Sequence, residues 1–427
     1  MRGFICIILT LVLGLACSPR IGILKEVNRT ETELKEHTGF ALYDLTSKKY
    51  LAEYNSDKYF TPASNTKIFT FYTSLKVLGD SATALKYVQR GDSLIFWGMG
   101  DPSFLYSRTY YNSSVYNFLV QAEGRLFYSP SNFQTSLLGP GWAWDDYPYN
   151  YSAERSPFPM FGNLTTIEKH FTGFRISPRY FTGHFTVATH PHKREEVIRD
   201  LDNNLLTYFP GKVLNKNWEV PYHYSSDLVA DLLSDTLKRE VQEINLPVPA
   251  DAQILKSIPL DSLYRVMMQD SDNFIAEQLL LQCSGILSDT LNPEIAIKYA
   301  IDSLFNDLPD EPSWVDGSGL SRYNLFTPRS VVKLWEKIYQ IIPQERLFKL
   351  LAVGGQSGTI KNWYKKDVPF IFGKTGTLSN NHSLSGFLIT RKGRVLIFSM
   401  MNNNYLASTN EVRRRMEKIL NTIHEKY

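Results

Sequence analysis

The chain reads as a mixed α/β (α+β) fold in which one domain is assembled from both ends of the sequence around a β-rich insertion. Three stretches carry that expectation. Near the start, residues 39–44 and 49–54 are two strand-like runs on either side of Leu45-Thr46-Ser47-Lys48, the pattern of a β-hairpin. Near the end, residues 370–372, 383–390 and 395–401 read as successive strands, the last two joined at Arg391-Lys392-Gly393-Arg394, and residues 410–424 as an amphipathic closing helix. Between them, residues 105–165 are rich in Tyr, Trp, Asn, Ser and Pro with little helical periodicity, which predicts irregular β structure. The hairpin and the terminal strands each need a partner to bury an apolar face, so one domain takes both. The expected division is a leader at 1–17, a discontinuous domain of 18–85 plus 251–427, and an inserted β-rich domain at 86–250.

The elements follow in order. Arg2 and the apolar run 4–16, too short to span a bilayer comfortably, have the layout of a secretory signal. Gly14-Leu15-Ala16-Cys17 resembles a bacterial lipoprotein cleavage site, with Cys17 as the residue that would be lipidated; Gly14 departs from the usual aliphatic residue. Export follows, with membrane contact only through that lipid. The helix that begins near Pro62 carries the apolar run Ile68, Phe69, Phe71 and Tyr72 and stops at Gly79-Asp80. Residues 93–98 form a strand closed by Gly98-Met99-Gly100-Asp101-Pro102. Residues 184–189 alternate like a strand; His190-Pro191-His192 follows without a third ligand at a telling spacing, so no metal site is expected. Residues 193–209 read as a polar helix, 212–222 as a strand pair, and 225–243, 260–268 and 274–283 as helices.

Composition narrows the function. A hydrophobic fraction of 43% supports real cores, and 46 Lys plus Arg against 43 Asp plus Glu leave no basic field for nucleic acid or an anionic membrane surface. Of three cysteines, Cys283 lies in an apolar helical run and reads as a core thiol.

Three separate stretches carry chemistry. Ser64 and Lys67 stand three residues apart at the start of a helix, which places the amine beside the hydroxyl. A serine needs an adjacent base to attack, and a desolvated lysine can be one. Ser271-Asp272-Asn273, between two helices, offers a hydroxyl for proton relay and a carboxamide for a substrate amide or for Lys67. Gly373-Lys374-Thr375-Gly376-Thr377 ends a strand: Lys374 and Thr375 suit a carboxylate, and Gly376 lets a substrate backbone lie close. Thr377 can lend its N–H to an oxyanion hole with that of Ser64, provided the strand passes beside the helix start. Each motif alone is a common cap or turn sequence.

Together, S-x-x-K, S-x-N and K-T-G, in this order and in helix, loop and strand, resemble the penicillin-recognising serine enzymes. Ser64 and Ser271 are more than 200 residues apart, which resembles the class C low-molecular-mass penicillin-binding proteins, the D-alanyl-D-alanine carboxypeptidases and endopeptidases with extra domains between the first two motifs. Further stretches match: Gly98-Met99-Gly100-Asp101-Pro102-Ser103-Phe104, Asp316-Gly317-Ser318-Gly319-Leu320-Ser321, Gly354-Gly355-Gln356-Ser357-Gly358-Thr359 and Ser383-Leu384-Ser385-Gly386-Phe387. The resemblance implies a transpeptidase-like domain with a five-stranded antiparallel sheet flanked by helices. It also implies acyl transfer on peptidoglycan stem peptides ending in D-Ala-D-Ala, in the bacterial periplasm or envelope. Ser64 would be the nucleophile, Lys67 its base and Ser271 the relay. Asn273, Lys374, Thr375, Gly376 and Thr377 would bind substrate, no metal or organic cofactor would be needed, and β-lactams would acylate Ser64. A β-lactamase or an esterase on the same scaffold, and a non-catalytic wall-binding lipoprotein, are the alternatives. Against the first stands the lack of a Glu-x-x-Leu-Asn segment between Ser271 and Lys374.

Overall fold

The computed structural model describes residues 19–110, 112–190, 192–212 and 216–427; residues 1–17, with Cys17, lie outside them. Both ends of the chain meet in one antiparallel sheet. Its strands run, edge to edge, Ala352–Val353, Ile371–Leu378, Asn381–Ile389, Val395–Asn403, His37–Asp44 and Lys49–Tyr54. Five are long, as expected, and the sixth is a two-residue edge strand. Strand alternation sorts the side chains into two cores. Phe40 and Leu42, with Leu396, Phe398 and Met400, face the helices Pro19–Leu34 and Thr409–Lys426. Ala41 and Tyr43, with Ile397 and Met401, face the opposite way, toward Lys67–Val77, Asn273–Ser288 and Pro328–Ile341. The Lys67–Val77 helix is buried over residues 67–74 between sheet and helices, its Ile68, Phe69, Phe71 and Tyr72 in the core, which fixes its N-terminus in the interior.

The chain leaves this layer through the strand Ser81–Arg90 and returns through Gln253–Pro259, and these two pair antiparallel with each other. They belong to a five-stranded sheet with Ser93–Gly98, Arg125–Tyr128 and Val241–Glu243, and two three-stranded sheets lie between. A separate apolar core fills this region, with Phe96, Tyr128, Met160, Phe181 and Leu233 at its centre. The Asn273–Ser288 helix is the seam. Its Glu277, Gln278 and Gln282, all buried, pair respectively with Arg155, with the backbone at Gly100 and Ser156, and with the Thr83 N–H. Cys283, on the same helix, is a fully buried free thiol, pushed up to about 12 by burial.

Three local expectations are corrected. Residues 193–209 hold no helix but the short paired strands Glu196–Arg199 and Leu206–Phe209. Their charges turn inward to partners, Glu195 to Lys169 and Arg199 to the Pro221 carbonyl, and this mimics a solvated helical face in sequence. Among the described residues of 105–165 lie a helix, Ser114–Gln121, the strand Arg125–Tyr128, 3₁₀ turns and the start of the strand Leu164–His170. Within 212–222 the described residues form one strand, Asn217–Pro221.

Candidate active site

Ser64 stands where a strained turn enters the buried helix. Ala63 before it has φ 50, a left-handed backbone rare for alanine, and Ala63–Thr66 is a 3₁₀ turn that continues into Lys67–Val77. Gly319 approaches from the other side so closely that a Cβ there would lie 1.9 Å from the Ala63 carbonyl oxygen. Lys67 is fully buried, and its Nζ lies 2.9 Å from Ser64 Oγ, 2.6 Å from Asn273 Oδ1 and 2.6 Å from the Ser318 carbonyl. The last two are acceptors only, so they take two N–H groups of a neutral amine and leave its lone pair for the serine proton. Burial pushes Lys67 down to about 8, against the opposing pull of Asp316, Glu277 and Asp272.

The second motif closes over this pair. Ser271 has φ 64, and Asp272 caps the following helix through Ile275 N. Asn273 donates to the Tyr151 carbonyl at 2.9 Å, which fixes its oxygen toward Lys67. The third motif lies on the Ile371–Leu378 strand, beside the start of the Ser64 helix. A Cβ at Gly376 would fall 2.3 Å from the Pro62 carbonyl oxygen and 2.8 Å from Ser64 N, so the strand does pass the helix start and glycine is needed for it. Lys374 Nζ donates to Ser271 Oγ at 2.8 Å; burial first and the nearby Lys67 second hold it well below an ordinary lysine. Thr375 Oγ1 donates to Thr359 at 2.7 Å, and Thr377 bonds His382. All three motifs thus converge, with Ser64, Asn273 and Thr377 on the wall of one cleft of about 730 Å³. Its other walls include Asp145, Asp146, Tyr151 and Arg322.

From sequence, the 316–321 stretch has a part in shaping the site but no catalytic role, and Glu277 and Tyr151 have no role. Asp316 is buried and accepts from Gly319 N, Ser321 N and Asn324, which folds the loop that aims the Ser318 carbonyl at Lys67. Glu277 holds Ser318 N at 2.8 Å. Its signal was an acid inside an apolar helix, one turn beyond Asn273. Tyr151 and the segment around it carried no signal, because its contribution is a backbone carbonyl.

Fold and site together define a penicillin-recognising serine hydrolase of the low-molecular-mass penicillin-binding class. The model of the D-Ala-D-Ala carboxypeptidase 3 (S13) family matches residues 24–426, and the chain belongs to that family. It is similar to the D-alanyl-D-alanine carboxypeptidase DacB of Haemophilus influenzae, 23% identical with 86% of each chain covered. It is also similar to the D-alanyl-D-alanine carboxypeptidase of Actinomadura sp., 25% identical over 86% of this chain and 78% of that one. The crystal structure of penicillin binding protein 4 from Haemophilus influenzae has the same fold, with a TM-score of 0.72, 21% identity, and 92% and 99% of the two chains covered.

Proposed function

We propose that the chain cleaves D-Ala-D-Ala-terminated stem peptides, and cross-links of the same chemistry, through an acyl-enzyme on Ser64. The observation that carries this reading is the buried Lys67 amine 2.9 Å from Ser64 Oγ, with acceptors for its two hydrogens in Asn273 and Ser318. Lys67 takes the proton as Ser64 attacks the penultimate carbonyl, and the N–H groups of Ser64 and Thr377 receive the oxyanion. Ser271, oriented by the Lys374 hydrogen bond at 2.8 Å, gives its proton to the leaving amine and takes in its place the proton that Lys67 removed from Ser64, so the Lys67 amine is free again for the water step. Lys374 and Thr375 take the terminal carboxylate, whose charge restores the Lys374 cation that burial disfavours. Gly376 gives the substrate backbone room. Water then frees the acyl group and regenerates Ser64. Asp145 and Asp146 suit the ammonium of a diamino-acid side chain further along the cleft. β-Lactams acylate Ser64 and stall there, because their leaving amine stays tethered.

The test is intact-mass analysis after benzylpenicillin. A single long-lived adduct on wild type and none on Ser64→Ala supports the reading. Rapid turnover without an adduct would favour a β-lactamase instead. The enzyme works in the bacterial envelope; we place it there by the signal at 1–17, with Cys17 lipidated. Metabolic labelling with palmitate should mark the wild type and fail on Cys17→Ser; label on both would sink the anchor.

A further inference from the structure

The Ser271–Asn273 turn is held from outside its own helix, and both of its supports trace to one carboxylate of the inserted region. Asp272, with its side chain 2% exposed, accepts from Tyr106 Oη at 2.6 Å and from Arg108 Nη1 at 3.2 Å. Asn273 is held by the Tyr151 carbonyl. The other terminal nitrogen of Arg108 pairs with Glu219 on the strand Asn217–Pro221. The same Glu219 oxygen accepts from Asn150 Nδ2 at 2.8 Å, one residue before Tyr151. Glu219 does not face the Ser64 cleft: it lines a separate polar cleft of about 530 Å³ with Ser107, Asn150, Thr166 and Glu168.

We propose that Glu219 is a positioning residue for the catalytic turn, acting through Arg108 on Asp272 and through Asn150 on the Tyr151 carbonyl. The inference rests on the proposed roles of Ser271 and Asn273. Its physical basis is a guanidinium shared between two carboxylates. With Glu219 in place, Arg108 is drawn to both and Asp272 keeps Tyr106 and its helix cap. Without Glu219, Arg108 is free to take Asp272 alone, and Asn150 loses the acceptor that anchors its segment. The turn carrying Ser271 and Asn273 then shifts against Lys67 and Lys374. Such a shift acts on the reaction more than on binding, because Lys374 and Thr375 lie on the Ile371–Leu378 strand and not on this turn.

The experiment compares acylation by benzylpenicillin, and turnover of a D-Ala-D-Ala peptide, in wild type, Glu219→Ala and Glu219→Gln. Rates are normalised to the fraction of Ser64 that penicillin can titrate, so that loss of folded protein does not count. Glu219→Ala is expected to lower the acylation rate and kcat about ten-fold with KM changed less than about two-fold. Glu219→Gln, which keeps an acceptor for Asn150 but no charge for Arg108, should fall between. Arg108→Ala combined with Glu219→Ala should cost less than the two losses multiplied, since both act along one path. Glu168→Ala, in the same cleft and without contact to the turn, should leave the rates unchanged. Rates per titratable site within two-fold of wild type in Glu219→Ala, or in Glu219→Gln if the alanine variant does not fold, would overturn the inference while leaving the function intact. A wild type that takes up no penicillin would overturn both.

Discussion

At Lys67 two influences oppose each other. Burial disfavours the ammonium, while Asp316, Glu277 and Asp272 favour it, and the balance lies at about 8, below an ordinary lysine. In the proposed mechanism Lys67 acts as the amine, which fixes the sign: below about 8 the competent fraction falls roughly ten-fold per pH unit, and above it the fraction saturates. Acylation by penicillin should therefore rise from pH 6 to 8 and flatten by pH 9 to 10, as followed by stopped-flow or quenched mass analysis. A flat profile would remove Lys67 as the titrating base. His382, bonded to Thr377, is pushed down to about 3 by burial and by Arg413, so it adds no limb to that profile. Lys67→Met should cost about 10²–10⁴-fold in acylation rate. At this scale the sequence was highly legible: Ser64, Lys67, Ser271, Asn273 and Lys374 come together as their spacing and context predicted. What stayed hidden acts through backbone. Ser318 and Tyr151 contribute carbonyls, and no side-chain pattern announces a carbonyl.

Between elements, the Ser64 turn and the Lys374 strand are joined by Asn65. Its amide donates to the Lys374 carbonyl at 3.0 Å and to Ser383 Oγ at 2.9 Å, and accepts from Ser385 at 2.5 Å, all of them buried. Asn65→Ala leaves those groups short of a partner and should destabilise the protein by about 2–3 kcal/mol, measured by urea unfolding. Gly376→Val should act differently: its side chain must push the strand away from Pro62 and Ser64, so penicillin uptake should be lost while far-UV circular dichroism persists. Elements with an apolar rhythm, such as the first hairpin, the Ser64 helix and the last two strands, were legible within a few residues, whereas the strand expected at 370–372 runs on to Leu378 and takes in the whole Lys374 motif. The strands at 196–199 and 206–209 were not legible. At four residues each they are too short to set a period, and their charges are satisfied by neighbours distant in sequence, such as Lys169 for Glu195.

For the whole molecule, the inserted region and the sheet domain are locked at Arg155 and Glu277, paired at 3.0 and 2.5 Å with side chains 2% and 0% exposed. Removing one partner leaves a buried charge alone, so Arg155→Ala should cost about 3–5 kcal/mol and lower Tm, and calorimetry would show it. Because Glu277 also holds Ser318, penicillin uptake should slow in the same variant. The general plan, two chain ends in one layer around a long excursion, was legible from complementary apolar faces. The arrangement of three small sheets inside the excursion was not, since short strands with buried charges carry little periodic signal. The central sheet also sets the order in which the protein can come into being. His37–Asp44 pairs with Val395–Asn403, so its neighbour on one side is made almost last. A chain emerging from its N-terminus must keep the Ser64 segment without its roof until nearly every residue has appeared. Ser64, the proposed nucleophile, is made early and completed late.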